Sequence, residues 1–187
     1  MDDELDPVFA DFKRLLDDRF EAAGADDTSE DDIRYLFYLA CTGEQGGISR
    51  HDIMLEKTGV IRGNERAELD TFIRRSDGSP WLSAEFKYHR KEGSSLLFDW
   101  AGNLVRDFNR LTRLQGAAKA TRRISVYVAS AEMMGLYEKR KKGGGWAEPM
   151  CDLILKPPFG QGRLLFSLPG ATPSFRGKTE VAGEAFT

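Results

Sequence analysis

Two amphipathic helical periods, three strand-like runs in succession and a strand that returns after a long helical stripe predict an α/β domain, a mixed central sheet flanked by helices. Strands joined by short turns pair antiparallel. A strand reached through a crossover helix can pair parallel, and this chain has both kinds of connection.

The elements follow in order. Asp6-Pro7 supplies an N-cap residue and then proline at the first helical position. Val8, Phe9, Phe12, Leu15, Leu16 and Phe20 recur at helical spacing behind it and predict an extra N-terminal helix to about Ala23. After a linker over 24–28, Ser29 opens a second helix with acidic residues in its first turn and Ile33, Leu36, Phe37 and Ala40 facing inward. The stretch 42–49, with its glycines, ends that helix. Strand-like runs cover 51–58, 67–74 and 81–90, separated by Arg62-Gly63-Asn64 and by Ser76-Asp77-Gly78-Ser79-Pro80. The Asp-Gly pair makes a hairpin of the second and third runs. Leu97, Ala101, Leu104, Val105, Phe108, Leu111 and Leu114 mark one stripe of a long helix over 95–121. An almost wholly apolar strand over 124–129 suits the inside of a sheet. A further helix over 132–141 and a hairpin of 153–156 with 163–168 complete the reading.

A chain of 187 residues holds one domain with a substantial core. We divide it into an acidic helix and linker (1–28), an α/β body (29–168) and a peripheral tail (169–187). The longest apolar run, around 33–41, is interrupted by Arg34 and is too short to span a bilayer, so no membrane partner is expected. The acidic start lacks the basic and apolar regions of a secretory signal, and Cys41 and Cys151 show no ligand spacing. The expectation is a reducing, cytoplasmic location with two free thiols. Residues 1–32 carry 13 acidic and 3 basic side chains, a net of −10, against a total of −3, which leaves +7 on residues 33–187. A basic body suits a polyanionic ligand, while the acidic start serves equally as a solubilising arm.

The chemistry concentrates in the second and third runs. Leu82, Ala84, Phe86 and Tyr88 alternate with Trp81, Ser83, Glu85, Lys87 and His89, so Glu85 and Lys87 share one face of a strand. In the preceding run Ala67, Leu69 and Ile73 are set against Glu68 and Asp70. Hydrolysis of a phosphodiester must offset charge on the phosphoryl and leaving oxygens, and it needs a hydroxide at neutral pH. Mg²⁺ serves both ends and favours a few carboxylates with water and substrate oxygens. Asp70 and Glu85 could each supply one ligand and the Phe86 carbonyl a third. Lys87 lies roughly 6–7 Å along the same face, placed to orient or help deprotonate water or to neutralise the transition state. A salt-bridge ladder across the hairpin would use the same residues. Glu68 could reach a second metal or stand solvated, and His89 could touch a phosphate or a metal-bound water. Glu56 reads as a surface residue.

Asp70, then Glu85-Phe86-Lys87, behind an acidic helix and within the order helix, three strands, helix, strand, resembles the restriction-endonuclease-like PD-(D/E)XK nuclease superfamily over about residues 29–130. The resemblance implies an α-β-β-β-α-β core carrying one extra N-terminal helix. It implies Asp70 and Glu85 as ligands of Mg²⁺ (or Mn²⁺) and Lys87 as the catalytic lysine of a metal-dependent nuclease. Many members add a glutamate from the helix ahead of the sheet; here that is Glu30, with Asp32 as second choice. Dipole stabilisation and an i,i+4 pair with Arg34 would also account for Glu30. The family's proline before the aspartate is Leu69 here. A small nuclease that cuts both strands would act as a homodimer.

Basic residues surround this acidic centre. Arg90 and Lys91 leave the motif strand, and Arg106, Arg110 and Arg113 form a ridge at i, i+4, i+7 opposite the leucine stripe of the long helix. Arg122, Arg123 and the run Lys139-Arg140-Lys141-Lys142 add to them, and Trp81 or Trp146 could stack on a base or pack. The expected partner is nucleic acid held by its backbone, DNA ahead of RNA. The alternative is a nuclease fold that binds nucleic acid or a protein without cutting.

Overall fold

The computed structural model describes residues 3–24, 27–62, 65–89 and 120–129, the single positions 103, 107, 110, 111, 113 and 114, and residues 135, 136, 139, 142, 180 and 181. These residues form an α/β arrangement of two helices and one mixed sheet.

Helix α1 (Asp6–Ala23) follows a 3-10 turn at Asp3–Leu5 and has proline in its first turn. Its N-cap is Leu5, with no side-chain cap, so Asp6 is already helical and acts as a first-turn acid. Val8, Phe9, Phe12, Leu16 and Phe20 are its buried stripe, as their spacing predicts. Helix α2 (Glu30–Thr42) begins in a capping box. The Ser29 hydroxyl accepts the Asp32 N–H at 3.1 Å, and the Asp32 carboxylate accepts the Ser29 N–H at 2.8 Å. These bonds hold the Asp32 carboxyl below its ordinary range. Ile33, Phe37, Ala40 and Cys41 are buried on this helix.

The strands are β1 (Ile53–Arg62), β2 (Glu65–Arg74), β3 (Pro80–His89), β4 (Arg122–Ala129) and the two-residue β5 (Glu180–Val181), lying side by side in that order. β1, β2 and β3 form an antiparallel meander; β4 runs parallel to β3 over its whole length, Leu82 opposite Arg122 through His89 opposite Ala129, and β5 is antiparallel to β4. The β2–β3 turn has the expected chemistry. Gly78 takes φ +82°, Gly78 N–H donates to Arg75 O at 2.8 Å, and Ser79 N–H donates to the Asp77 carboxylate at 2.8 Å.

Both helices cover one face of the sheet. Phe37 lies at the middle of that core, its ring centroid 6.0 Å from Phe9, 5.4 Å from Phe12 and 5.1 Å from Phe86. Ile53, Ile73, Leu82, Ala84, Ile124, Val126 and Val128 supply the sheet's side. A second cluster, Leu69, Phe72, Leu111, Leu114 and Ala120, is separate from it. Two expectations are corrected here. Leu69 does not share a side with Ile73: the alternation slips, and Leu69 packs with Phe72 while Ile73 enters the helix-side core. The slip lies opposite a kink in β1, where Glu56 has φ +52°; Met54 and Lys57, of opposite parity, both lie against Phe72. Nor does the long helix reach 121. Positions 103, 107, 110 and 111 are helical, but Arg113 is in a turn and Leu114, Ala120 and Thr121 are outside any helix. The proposed hairpin of 153–156 with 163–168 and Trp146 lie outside the described residues.

Cutting Phe37 back to alanine should cost about 3–5 kcal/mol in urea unfolding, because its cavity would border three other aromatic rings. Ser29→Ala should cost about 1 kcal/mol through the lost cap. Equal losses in the two variants would place the core elsewhere.

Candidate functional site

The site arises where β2 and β3 part. Their ladder runs from Arg74 opposite Pro80 to Thr71 opposite Ala84, and among the described residues no pairing extends beyond it. Parallel pairing with β4 continues along the other edge of β3 to His89. The edge of β3 that faced β2 therefore still presents backbone N–H groups at Phe86 and Tyr88, two residues apart. A buried donor has to find a partner. Two carboxylates serve: Asp70 Oδ2 accepts from Phe86 N at 2.6 Å, and Glu30 Oε2 accepts from Tyr88 N at 3.2 Å. An acid on β2 and an acid on α2 are thus fixed one strand repeat apart along one edge.

Lys87 sits between those two N–H groups in the chain and points to the same region. Its Nζ donates to Glu30 Oε1 at 3.0 Å and lies 3.6 Å from Asp107 Oδ2. Burial disfavours its charge, but Glu30, Asp107 and Asp70 together outweigh that effect, Glu30 most of the three, and the ammonium is held above its ordinary range. Glu85 is only 1% exposed. Arg110 Nη2 stands 2.7 Å from its Oε2, yet neither Glu85 oxygen accepts a hydrogen bond of good geometry among the described residues. Burial pushes the Glu85 carboxyl up to about 8; Arg110 pulls it back, and the negative charges of Asp70 and Asp107 push the same way as burial. Arg34, from α2, reaches Asp70 Oδ1 at 3.2 Å and Glu56 Oε1 at 3.5 Å, and also pairs with Asp31.

Asp70, Glu85, Lys87 and Glu30 therefore come together, as the strand pattern and the acidic helix suggest. Asp32 is taken by the helix cap. The anticipated Glu30–Arg34 pair along the helix gives way to two contacts across the fold, Glu30 to Lys87 and Arg34 to Asp70. Glu68 is exposed. His89 continues the Lys87 face but is buried, its Nδ1 3.1 Å from the Tyr127 hydroxyl, and burial with the Lys87 charge lowers it to about 4. The arginine ridge is corrected: Arg110 turns inward onto Glu85 and Asp107, because a buried carboxylate attracts the nearest guanidinium. Arg113 lies in the turn that follows and is exposed. Arg106, Arg90 and Lys91 lie outside the described residues. Arg123 is buried and donates to Leu111 O at 3.4 Å, while Arg75 and Arg122 flank Trp81, 5.5 and 5.9 Å from its ring, which makes that tryptophan a packing residue. Lys139 and Lys142 are exposed.

Asp107 is the functional-looking residue that reading the sequence passed over. It is 5% exposed and lies near both Lys87 and Arg110. Its one sequence signal is an acid three residues ahead of Arg110, on the polar flank of the leucine stripe. The centre thus gathers four acids (Glu30, Asp70, Glu85, Asp107) and three bases (Arg34, Lys87, Arg110). All the acids offer hard oxygen donors of the kind Mg²⁺ and Mn²⁺ take, and the two unbonded Glu85 oxygens suit such an ion. As arranged, no three acidic, histidine or cysteine groups among the described residues converge on one point, since Arg34, Arg110 and Lys87 stand among them.

The shifted Glu85 has a consequence for stability. The folded chain keeps a proton there up to about 8, whereas an ordinary carboxyl loses it at 4.5. This contribution is complete below 4.5 and is lost as pH rises through about 8. His89 acts with the opposite sign, adding stability above 6.5 that disappears as pH falls towards 4. Urea unfolding between 6.5 and about 8 therefore isolates Glu85. Over that window the parent should lose stability relative to Glu85→Gln at up to about 1.4 kcal/mol per pH unit. Parallel curves would show an ordinary carboxyl. The chain matches no protein-family model, no curated protein and no solved structure, so its function has to be read from this geometry.

Proposed function

We propose that this chain is a metal-dependent phosphodiester hydrolase of the restriction-endonuclease-like type, acting on nucleic acid, DNA ahead of RNA. The observation that carries the reading is the pair Asp70 and Glu30 held on the Phe86 and Tyr88 N–H groups at the open edge of β3, with Lys87 donating to Glu30 and the buried Glu85 beside Arg110 on the same strand. Two strands and a helix each bring an acid to one region, beside a lysine whose charge burial disfavours and the neighbouring carboxylates favour. A surface ladder of charges needs no such convergence.

Asp70 and Glu85 are the residues that would hold Mg²⁺ or Mn²⁺, with Glu30 at the margin. A bound divalent ion supplies Lewis-acid neutralisation of phosphoryl charge and a water acidic enough to ionise near neutral pH. The chain's own residues do the rest. Lys87, kept charged by Glu30, Asp107 and Asp70, offsets negative charge that grows on the phosphoryl oxygens and orients water by donating to it. A lysine held above its ordinary range is a poor base, so its part is electrostatic. Glu30 fixes the direction of the ammonium, and the Phe86 and Tyr88 N–H groups fix the carboxylates of Asp70 and Glu30 against rotation.

A second reading has its own observation. Arg34 and Arg110 already accompany Asp70 and Glu85. A fold in which that pairing is permanent would bind nucleic acid or a partner protein without cutting.

Supercoiled, linear and single-stranded DNA and RNA, incubated with Mg²⁺, Mn²⁺ or EDTA, separate the two readings. The expected result is metal-dependent cutting that Lys87→Ala and Asp70→Ala each lower by about 100-fold or more. Binding by the parent chain with no cutting in either metal would support the binding module.

A further inference from the structure

We propose that Arg34 is an internal counter-ion that competes with a divalent cation for Asp70 and so sets how tightly the site takes metal. The inference rests on reading Asp70 as a metal ligand.

Three features converge on it. First, Arg34 Nη1 lies 3.2 Å from Asp70 Oδ1, on the carboxylate oxygen left over once Oδ2 has accepted the Phe86 N–H. A cation joining Asp70 at that oxygen would stand beside the guanidinium, so two positive charges would compete for the same carboxylate. Second, Arg34 has somewhere else to go. Asp31, one helical turn back, already pairs with it, and Glu56 reaches it at 3.5 Å from the kink in β1 where φ is +52°. Displacement from Asp70 leaves the guanidinium with two carboxylates, and no charge is stranded. Third, buried acidic oxygens that lack a well-formed partner lie nearby. The two oxygens of the buried Glu85 have no hydrogen bond of good geometry among the described residues, although Arg110 stands 2.7 Å away. Asp107 Oδ2 is in the same condition. A hard ion that drew Arg34 off Asp70 would meet oxygens that the arginines leave poorly satisfied.

Charge is the operative property. A guanidinium within hydrogen-bond reach of a metal ligand raises the cost of bringing a doubly charged ion to the same oxygen. Removing it should tighten metal binding, and a lysine in its place should keep most of the effect.

The test is Mn²⁺ binding measured by titration calorimetry on the whole chain, with no nucleic acid present. Arg34→Gln should bind Mn²⁺ about 10-fold or more tightly than the parent, the scale set by removing one adjacent like charge, and Arg34→Lys should stay near the parent. Asp70→Asn should abolish binding in both backgrounds. Equal affinity in Arg34→Gln and the parent, with loss in Asp70→Asn, would overturn the counter-ion role and leave the metal site standing. Failure of every variant to bind Mn²⁺, Arg34→Gln included, would overturn the metal site and this inference together. Binding by Arg34→Gln alone would be the strongest support, since the parent would then be held shut by its own arginine.

Discussion

One hydrogen bond organises this molecule's chemistry: the Asp70 carboxylate on the Phe86 N–H, at 2.6 Å. It exists because β2 and β3 stop pairing after Thr71 and Ala84, while β4 continues to hold the far side of β3. A strand supported on one edge and released on the other exposes donors at alternate residues. In the interior each unpaired donor costs about 1–3 kcal/mol, so something must take its place. Asp70 does so from the departing strand and Glu30 does so from a helix. The acids are where they are because the backbone needs them there, and their remaining oxygens are what face Arg34 and Lys87.

The electrostatics follow from that placement. Four acids and three bases share a space in which Glu85 and Asp107 are almost fully buried. Bringing charges out of water is expensive, and pairs repay it only when their geometry is good. At Lys87 the geometry is good: a 3.0 Å bond to Glu30, with the charges of Glu30, Asp107 and Asp70, outweighs burial and holds the ammonium above its ordinary range. At Glu85 it is poor, and burial wins over Arg110, so the carboxyl holds its proton to about 8. One centre therefore holds a secure cation beside an insecure anion. A rigid salt-bridge ladder would show neither.

Much of this was legible in the chain, for definite reasons. Period-2 alternation separated Leu82, Ala84, Phe86 and Tyr88 from Glu85 and Lys87, and the Asp77-Gly78 turn fixed which strands are neighbours. Helical spacing placed the stripes of α1 and α2 correctly because both bury against one apolar sheet face. What was not legible depends on tertiary geometry. A positive φ at a glutamate has no sequence signature, so the slip that sends Leu69 away from Ile73 was invisible. Arg110 looked solvated because helical spacing reports a residue's angle around its own axis; it says nothing of a buried carboxylate on the neighbouring strand. Asp107 was missed for the same reason.

Helix α2 ties the core to the site. Glu30, Arg34, Phe37 and Cys41 follow at i, i+4, i+7 and i+11 and so lie along a single stripe. At its C-terminal end the stripe is apolar and packs in the aromatic cluster with Phe12 and Phe86. At its N-terminal end it is charged and reaches Lys87, Tyr88 and Asp70. Phe86 completes the connection, since its ring is in that cluster while its N–H is bonded to Asp70. The angle at which α2 packs on β3 therefore sets two things at once: how the rings fit, and where Glu30 and Arg34 arrive. Here the same short stripe serves both ends, and the Ser29 capping box immediately ahead of Glu30 pins its first turn. Packing at Phe37 is thus the mechanical support of the charged end, which places the acids and their counter-ions by the same contacts that hold the domain together.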